Sequence, residues 1–190
     1  LKEIIFISIA HSSQDHGARN DEIGIDEYWV STIASKCCYD FLASRKIKCI
    51  VYDNGGGLDK QYAPEKREII NKVNPYLAIE IHCNASTSKL ACYSEVLYKN
   101  KFKGTKPIAE NIALSINSGV MGSINKMEFN NHGIRLPDEK LFFLDTMNCP
   151  SIIVEGFFIS NDNHAKWLKN GGAEAYGMLV GEGIYKSLTK

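Results

Sequence analysis

The stretch "YLAIEIHCNAS", residues 76–86, decides how this chain is read. From Tyr76 to Ile81 every residue but Glu80 is apolar, and the isoleucines favour a pleated strand. A nearly continuous apolar run of this length suits a strand covered on both faces, as in parallel sheets flanked by helices. The run then breaks into His82, Cys83 and Asn84, although a histidine is costly to bury without a partner. The same ending recurs: "EIIFISIA" (3–10) runs into His11, and "SIIV" (151–154) runs into Glu155. Open α/β sheets place their ligands beyond the carboxyl ends of the strands. Three parallel strands would therefore bring His11, His82 and Glu155 to one edge.

Outward from these strands, apolar β-branched runs alternate with amphipathic segments. Residues 26–46 carry Trp29, Ile33, Cys37 and Phe41 at helical spacing. Residues 47–53 read as a strand, 64–73 as a helix, 93–99 as a strand and 107–120 as a helix. The stretch from there to about Glu139 is rich in Gly, Asn, Lys and Met and reads as loop. "KLFFL" (140–144) and "PSIIVEGFF" (150–158) read as strands, and 162–187 as helix broken at Gly171–Gly172. The pattern predicts one α/β domain over residues 1–190, a mixed, mostly parallel sheet with helices on both faces.

At 190 residues, 44% hydrophobic and 23% charged, the composition is that of an ordinary globular domain. Acidic and basic side chains balance at 22 each, so no global field gathers nucleic acid or an anionic membrane. No apolar run approaches the ~18 residues of a membrane span. The chain begins at Leu1, not Met, which suggests a processed form or an excised domain. A signal or a separate wall-binding domain would then lie outside it. The six cysteines show no zinc-ribbon spacing and read as buried or half-buried thiols.

Two histidines and a carboxylate with an open fourth position form a usual catalytic zinc set. Between His11 and the first helix the carboxylates are Asp15, Asp21, Glu22, Asp26 and Glu27. Acids here also suit the positive end of a helix dipole. Glu27, in the first turn of a rigid helix, could be held as a ligand must be, but spacing alone does not separate it from Glu22. His16, His132 and His164 read as solvated.

"IAHSSQDHGA", "GIDEYW", "IEIHCNAS", "SEVLYK" and "PSIIVEGFFISND" together resemble the zinc-dependent N-acetylmuramoyl-L-alanine amidases of the amidase-3 type, phage endolysin and autolysin catalytic domains among them. The resemblance spans nearly the whole chain. It implies zinc on His11, Glu27 and His82, with Glu27 preferred to Glu22 because "GIDE" matches the family's Gly-x-x-Glu. It implies Glu155 as the catalytic glutamate and Asn84 as a residue shaping the metal loop or substrate groove. Arg67 and Asn71 match a family helix and read as structural. Two departures stand out: Ala10, Ser12 and Ser13 surround His11 where the family has glycines, and Glu80 stands where it often has serine. Period two puts Glu80 on the face of His82, as a partner of that ligand or a paired buried acid.

The implied activity is hydrolysis of the amide between N-acetylmuramic acid and the L-alanine of the peptidoglycan stem. Zinc would activate water and Glu155 would move its proton. The protein would act at the cell wall, secreted, or released from a host cytoplasm if it is a phage lysin. Tyr98 to Lys140 holds one amphipathic helix and a polar loop, with no second helix to plug the metal, as in lysins that need no activator. The alternatives are a zinc peptidase cutting within the stem peptide, which would release other amino termini, and a non-catalytic wall-binding module, which would have lost a ligand or the glutamate.

Overall fold

The computed structural model describes residues 4–54, 59–123 and 130–189. The first half of the chain forms β1 (Ile4–Ile9), a short ribbon of β2 (Arg19–Asn20) and β3 (Ile25–Asp26), α1 (Glu27–Ser44), β4 (Lys48–Tyr52), α2 (Asp59–Val73) and β5 (Leu77–Asn84). The second half forms β6 (Tyr93–Tyr98), α3 (Thr105–Ser123), β7 (Asn130–Arg135), α4 (Phe142–Thr146), β8 (Ser151–Phe158), α5 (Asp162–Trp167) and α6 (Ala173–Leu188).

Six strands make one sheet in the order β4-β1-β5-β8-β6-β7. All neighbours are parallel except β6 and β8. Ile5 and Ile7 of β1, Ile79 and Ile81 of β5 and Val154 of β8 point to one face. There they are buried with Val30 and Ala34 of α1, Ile112 of α3 and Tyr176 and Val180 of α6. Full burial of each such aliphatic side chain stabilises by about 1.5–3 kcal/mol. Two glycines let this helix layer close: a Cβ at Gly177 would lie 2.1 Å from the Ala34 carbonyl oxygen, and one at Gly183 2.4 Å from Ile112 Cα.

The other face carries a smaller core. Phe6, Ala78, Ile153 and Leu97 pack there against Ile70 of α2 and Phe143 and Leu144 of α4. Each strand of this face is apolar only at that end. Further along lie Ser8, Glu80, His82, Glu155 and Glu95, and the polar half sits at the carboxyl edge of the parallel strands. The expected architecture, helices on both faces of a mixed sheet, is what forms.

Several boundaries differ from expectation. "KLFFL" is not a strand: Phe142–Thr146 is a short helix, whose turn presents Phe143 and Leu144 together to the second core while Asp145 Oδ2 accepts from Leu141 N at 2.7 Å. Part of the expected loop, Asn130–Arg135, is strand β7. Its polar sequence is tolerated because it forms the sheet edge and pairs on one side only. α3 begins earlier and ends later than expected, and residues 124–129 of that loop lie outside the described residues. α2 starts at Asp59, so Pro64 lies inside the helix instead of opening it. Asn170 and Gly171 leave helical geometry, which places the break between α5 and α6 at the expected glycine pair. The six cysteines are free, and none is exposed.

Candidate active site

β1 ends at Ile9, and two residues later His11 adopts a left-handed backbone, φ +64°. That conformation costs a non-glycine residue and recurs where a side chain must be aimed. The turn is fixed around it. Ala10 N donates to Ser31 Oγ at 2.8 Å and Asn54 Nδ2 to the His11 carbonyl at 3.1 Å. Ser12 Oγ accepts from Asp15 N at 3.1 Å, so this serine helps to build the loop.

Glu27 opens α1, which Asp26 caps by accepting from Trp29 N at 2.8 Å. The Glu27 side chain is buried and joins the strand ends. Its Oε2 lies 3.0 Å from His11 Nε2 and accepts from Ala18 N at 3.1 Å. Its Oε1 lies 2.9 Å from His82 Nδ1 and accepts from Cys83 N at 3.0 Å. Burial alone would raise its pKa, but the bonds to His11 and His82 outweigh it and hold the carboxyl well below the usual range. The donor atoms of His11, Glu27 and His82 all lie within 4.8 Å of one another. Among the described residues no other such group of His, Cys, Asp and Glu forms. A Cβ added at Gly17 would come within 2.6 Å of both Glu27 Oε2 and His11 Nε2. Glycine there leaves the space between the donors open, and the set fits a zinc ion by donor type and proximity.

Three of the other candidate acids are paired away from the donor set, and Asp15 stands near His11 without joining it. Glu22 is exposed and pairs with Lys89 at 3.1 Å, Asp21 with Arg19 at 3.6 Å and Asp26 with His16 Nδ1 at 2.7 Å. Asp15 Oδ1 is 4.0 Å from His11 Nδ1.

His82, Glu155 and Glu95 stand side by side on β5, β8 and β6. Glu95 is tied to Arg135 at 3.0 Å and accepts from Asn84 Nδ2 at 3.5 Å. Glu155 Oε2 is buried with no hydrogen-bond partner among the described residues. Burial raises the Glu155 pKa to about 7, with His82 opposing and the Glu27 and Glu95 carboxylates adding to the rise. A carboxylate poised near neutrality and free to accept is suited to general-base work. For His82, burial disfavours the charged form, but bonds to Glu27 and Glu80 hold its pKa well above the usual value.

Sequence reasoning missed Tyr176. Between His82 and Asn84 the β5–β8 register shifts, with one extra residue on β8. The Tyr176 hydroxyl sits over that bulge, 3.0 Å from the His82 carbonyl oxygen and 3.1 Å from that of Val154, and accepts from Gly156 N at 2.9 Å. It pins the strand ends that carry His82 and Glu155. A tyrosine inside an apolar helix reads as core, and nothing in the sequence marks this reach.

The remaining expectations divide. His164 is not solvated: it is fully buried and its Nδ1 accepts from Phe158 N at 3.0 Å, because the Asn161 cap turns α5 back beneath β8. His16 is half-exposed on Asp26, and His132 is exposed, its ring stacked on Tyr93 at 3.8 Å. Asn71 accepts from Asn148 N at 2.8 Å and so ties α2 to the turn before β8, whereas Arg67 pairs loosely with its neighbour Glu68, at 3.9 Å. α3 packs in the layer of α6, and its Glu110 pairs with Lys106 at 3.7 Å.

The family model described as N-acetylmuramoyl-L-alanine amidase (Amidase_3) matches residues 5–190. No curated protein matches the chain significantly. Among solved structures it is similar to Cwp6 from Clostridium difficile, at 26% identity and TM-score 0.84, over 100% of this chain but 30% of that one. It is also similar to the amidase AmiC2 of Nostoc punctiforme, at 19% identity and TM-score 0.82, covering 100% and 98% of the two chains. The catalytic domain of the CD27L endolysin targeting Clostridia difficile matches at 22% identity and TM-score 0.79, covering 97% of each.

Proposed function

The chain belongs to the N-acetylmuramoyl-L-alanine amidase family, an enzyme family acting on peptidoglycan, and from that premise we propose that it is a zinc-dependent hydrolase. It cleaves the amide between N-acetylmuramic acid and the L-alanine of the stem peptide. The observation that carries the reading is one sheet edge. There the donors of His11, Glu27 and His82 converge beside Glu155, one of whose buried carboxylate oxygens has no hydrogen-bond partner among the described residues.

His11, Glu27 and His82 would hold the zinc. When bound, it supplies Lewis acidity toward the scissile carbonyl and makes water acidic enough to attack near neutral pH. Glu155 takes the proton that the attacking water loses and returns it to the nitrogen of L-alanine as the C–N bond breaks. The products are a free stem peptide and a glycan carrying the lactyl carboxylate. Glu95, locked to Arg135, keeps a second negative charge beside Glu155 and so favours its action as a base near neutrality. Asn84, bonded to Glu95 and turned onto Ala85 N at 2.9 Å, shapes the loop that follows His82. The protein acts at the cell wall, and no described helix is long and apolar enough to cross a membrane.

The ligand assignment is tested by metal analysis of purified variants. Glu27→Ala, His11→Ala and His82→Ala should each lose most of the zinc, and Glu22→Ala should keep it. Full zinc in Glu27→Ala with loss in Glu22→Ala would reverse the choice of carboxylate.

A further inference from the structure

Beneath His82 lies a charge cluster that the reaction as described does not use. Glu80 is 5% exposed and Lys66, from α2, 3%. Their carboxylate and ammonium meet at 2.7 Å. The carboxylate oxygens divide their partners. Oε1 accepts from Lys66 Nζ and, at 3.1 Å, from Ser8 Oγ, while Oε2 lies 3.4 Å from His82 Nε2. A buried ion pair is weak evidence for stability, since apolar residues of similar volume often serve as well or better. What this pair achieves is positional. Nδ1 of the same ring lies 2.9 Å from Glu27 within the donor set, so Glu80 holds the nitrogen that faces away from it.

We propose that Glu80 is a positioning residue: it accepts the His82 Nε2–H and so presents Nδ1 to the metal, with Lys66 and Ser8 fixing the carboxylate. Metal-ligating histidines commonly give their second N–H to a carboxylate, which fixes tautomer and ring orientation. The histidines of this site are held differently. His11 Nδ1 has no hydrogen-bond partner among the described residues, and His11 is aimed by its left-handed backbone and its anchored carbonyl. His82 has its carbonyl held by Tyr176 at the start of the β5–β8 bulge, and the far nitrogen of its ring faces Glu80. Lys66 Nζ and Ser8 Oγ both donate to Glu80 Oε1, which leaves Oε2 to face the His82 ring.

The proposal rests on His82 being a zinc ligand, and its test separates the two. The double variant Lys66→Met/Glu80→Leu removes both charges and the acceptor, whereas Lys66→Met/Glu80→Gln removes the charges but keeps an acceptor of the same length. Zinc affinity is measured by competition with a chromophoric chelator. The His82 Nε2–H is observed by nitrogen-15 NMR in the zinc-loaded wild type. The Leu variant should bind zinc about 10–100-fold more weakly, the usual loss when such a partner is removed, and the Gln variant should recover most of that. The wild type should show a slowly exchanging Nε2–H, which tests the proposal even if the Leu variant does not fold. A folded Leu variant with wild-type affinity, or a wild type lacking that proton, overturns the role of Glu80. A wild type that binds no zinc overturns the metal reading itself.

Discussion

At Gly17 the addition of one methyl group would crowd the space between the donor atoms proposed to hold zinc. Its backbone is left-handed, φ +68°, and a Cβ would press to 2.6 Å on two of the donor atoms. Gly17→Ala should therefore lose most of its zinc by metal analysis. Gly104, at φ +93° with nothing within 4 Å of a Cβ, supplies the control: Gly104→Ala bears the same kind of backbone strain but should keep its metal. His11, His82 and Glu155 were legible because each interrupts an apolar strand at its end. Gly17 was not, since a glycine in a polar loop reads as a turn. Spacing left Glu27 and Glu22 unseparated because the distinction is spatial: the short β2–β3 ribbon sends Glu22 out to Lys89 and leaves Glu27 at the helix start, facing the strand ends.

Among the elements, α5 and α6 brace the site from below. Tyr176→Phe would strip the bulge of its hydroxyl and leave the Gly156 N–H buried without that acceptor. It should cost about 1–3 kcal/mol in urea unfolding. His164, at the turn from β8 into α5, gives the fold an acid sensitivity. Burial lowers its pKa from 6.5 to about 4, and its Nδ1 must stay unprotonated to accept from Phe158 N. The unfolded chain then binds more protons between those values, so stability falls as pH drops from about 6.5 toward 4, by roughly 3 kcal/mol in all. In His164→Asn, which keeps an acceptor and cannot titrate, that part of the pH dependence should vanish from unfolding measured across the window. The elements misread from sequence share a cause. β7 and α4 take their conformation from sheet-edge pairing and from the second core, neither of which their own residues announce.

For the whole molecule, the division of one sheet face into an apolar half under α2 and α4 and a polar half at the strand ends explains why strands in this chain end in chemistry. That division was legible as apolar runs ending in His and Glu. Which helix covers which half was not, because it depends on crossover geometry. A metal that binds only the folded state stabilises it by mass action, so free zinc at 100 times its dissociation constant should add about 2.7 kcal/mol. Chelation should lower the unfolding temperature of wild type and leave that of His82→Ala unmoved.

The central claim, that this edge cleaves the muramoyl–L-alanine amide with Glu155 as base, is tested most directly by end-group analysis of digested peptidoglycan. The purified, zinc-loaded protein, with no partner protein added, should release new L-alanine amino termini and no new glycan reducing ends. Glu155→Gln should keep its zinc and lose at least ~100-fold in that rate. Near-normal L-alanine release by the Gln variant, or release of a different amino terminus by the wild type, would contradict the account.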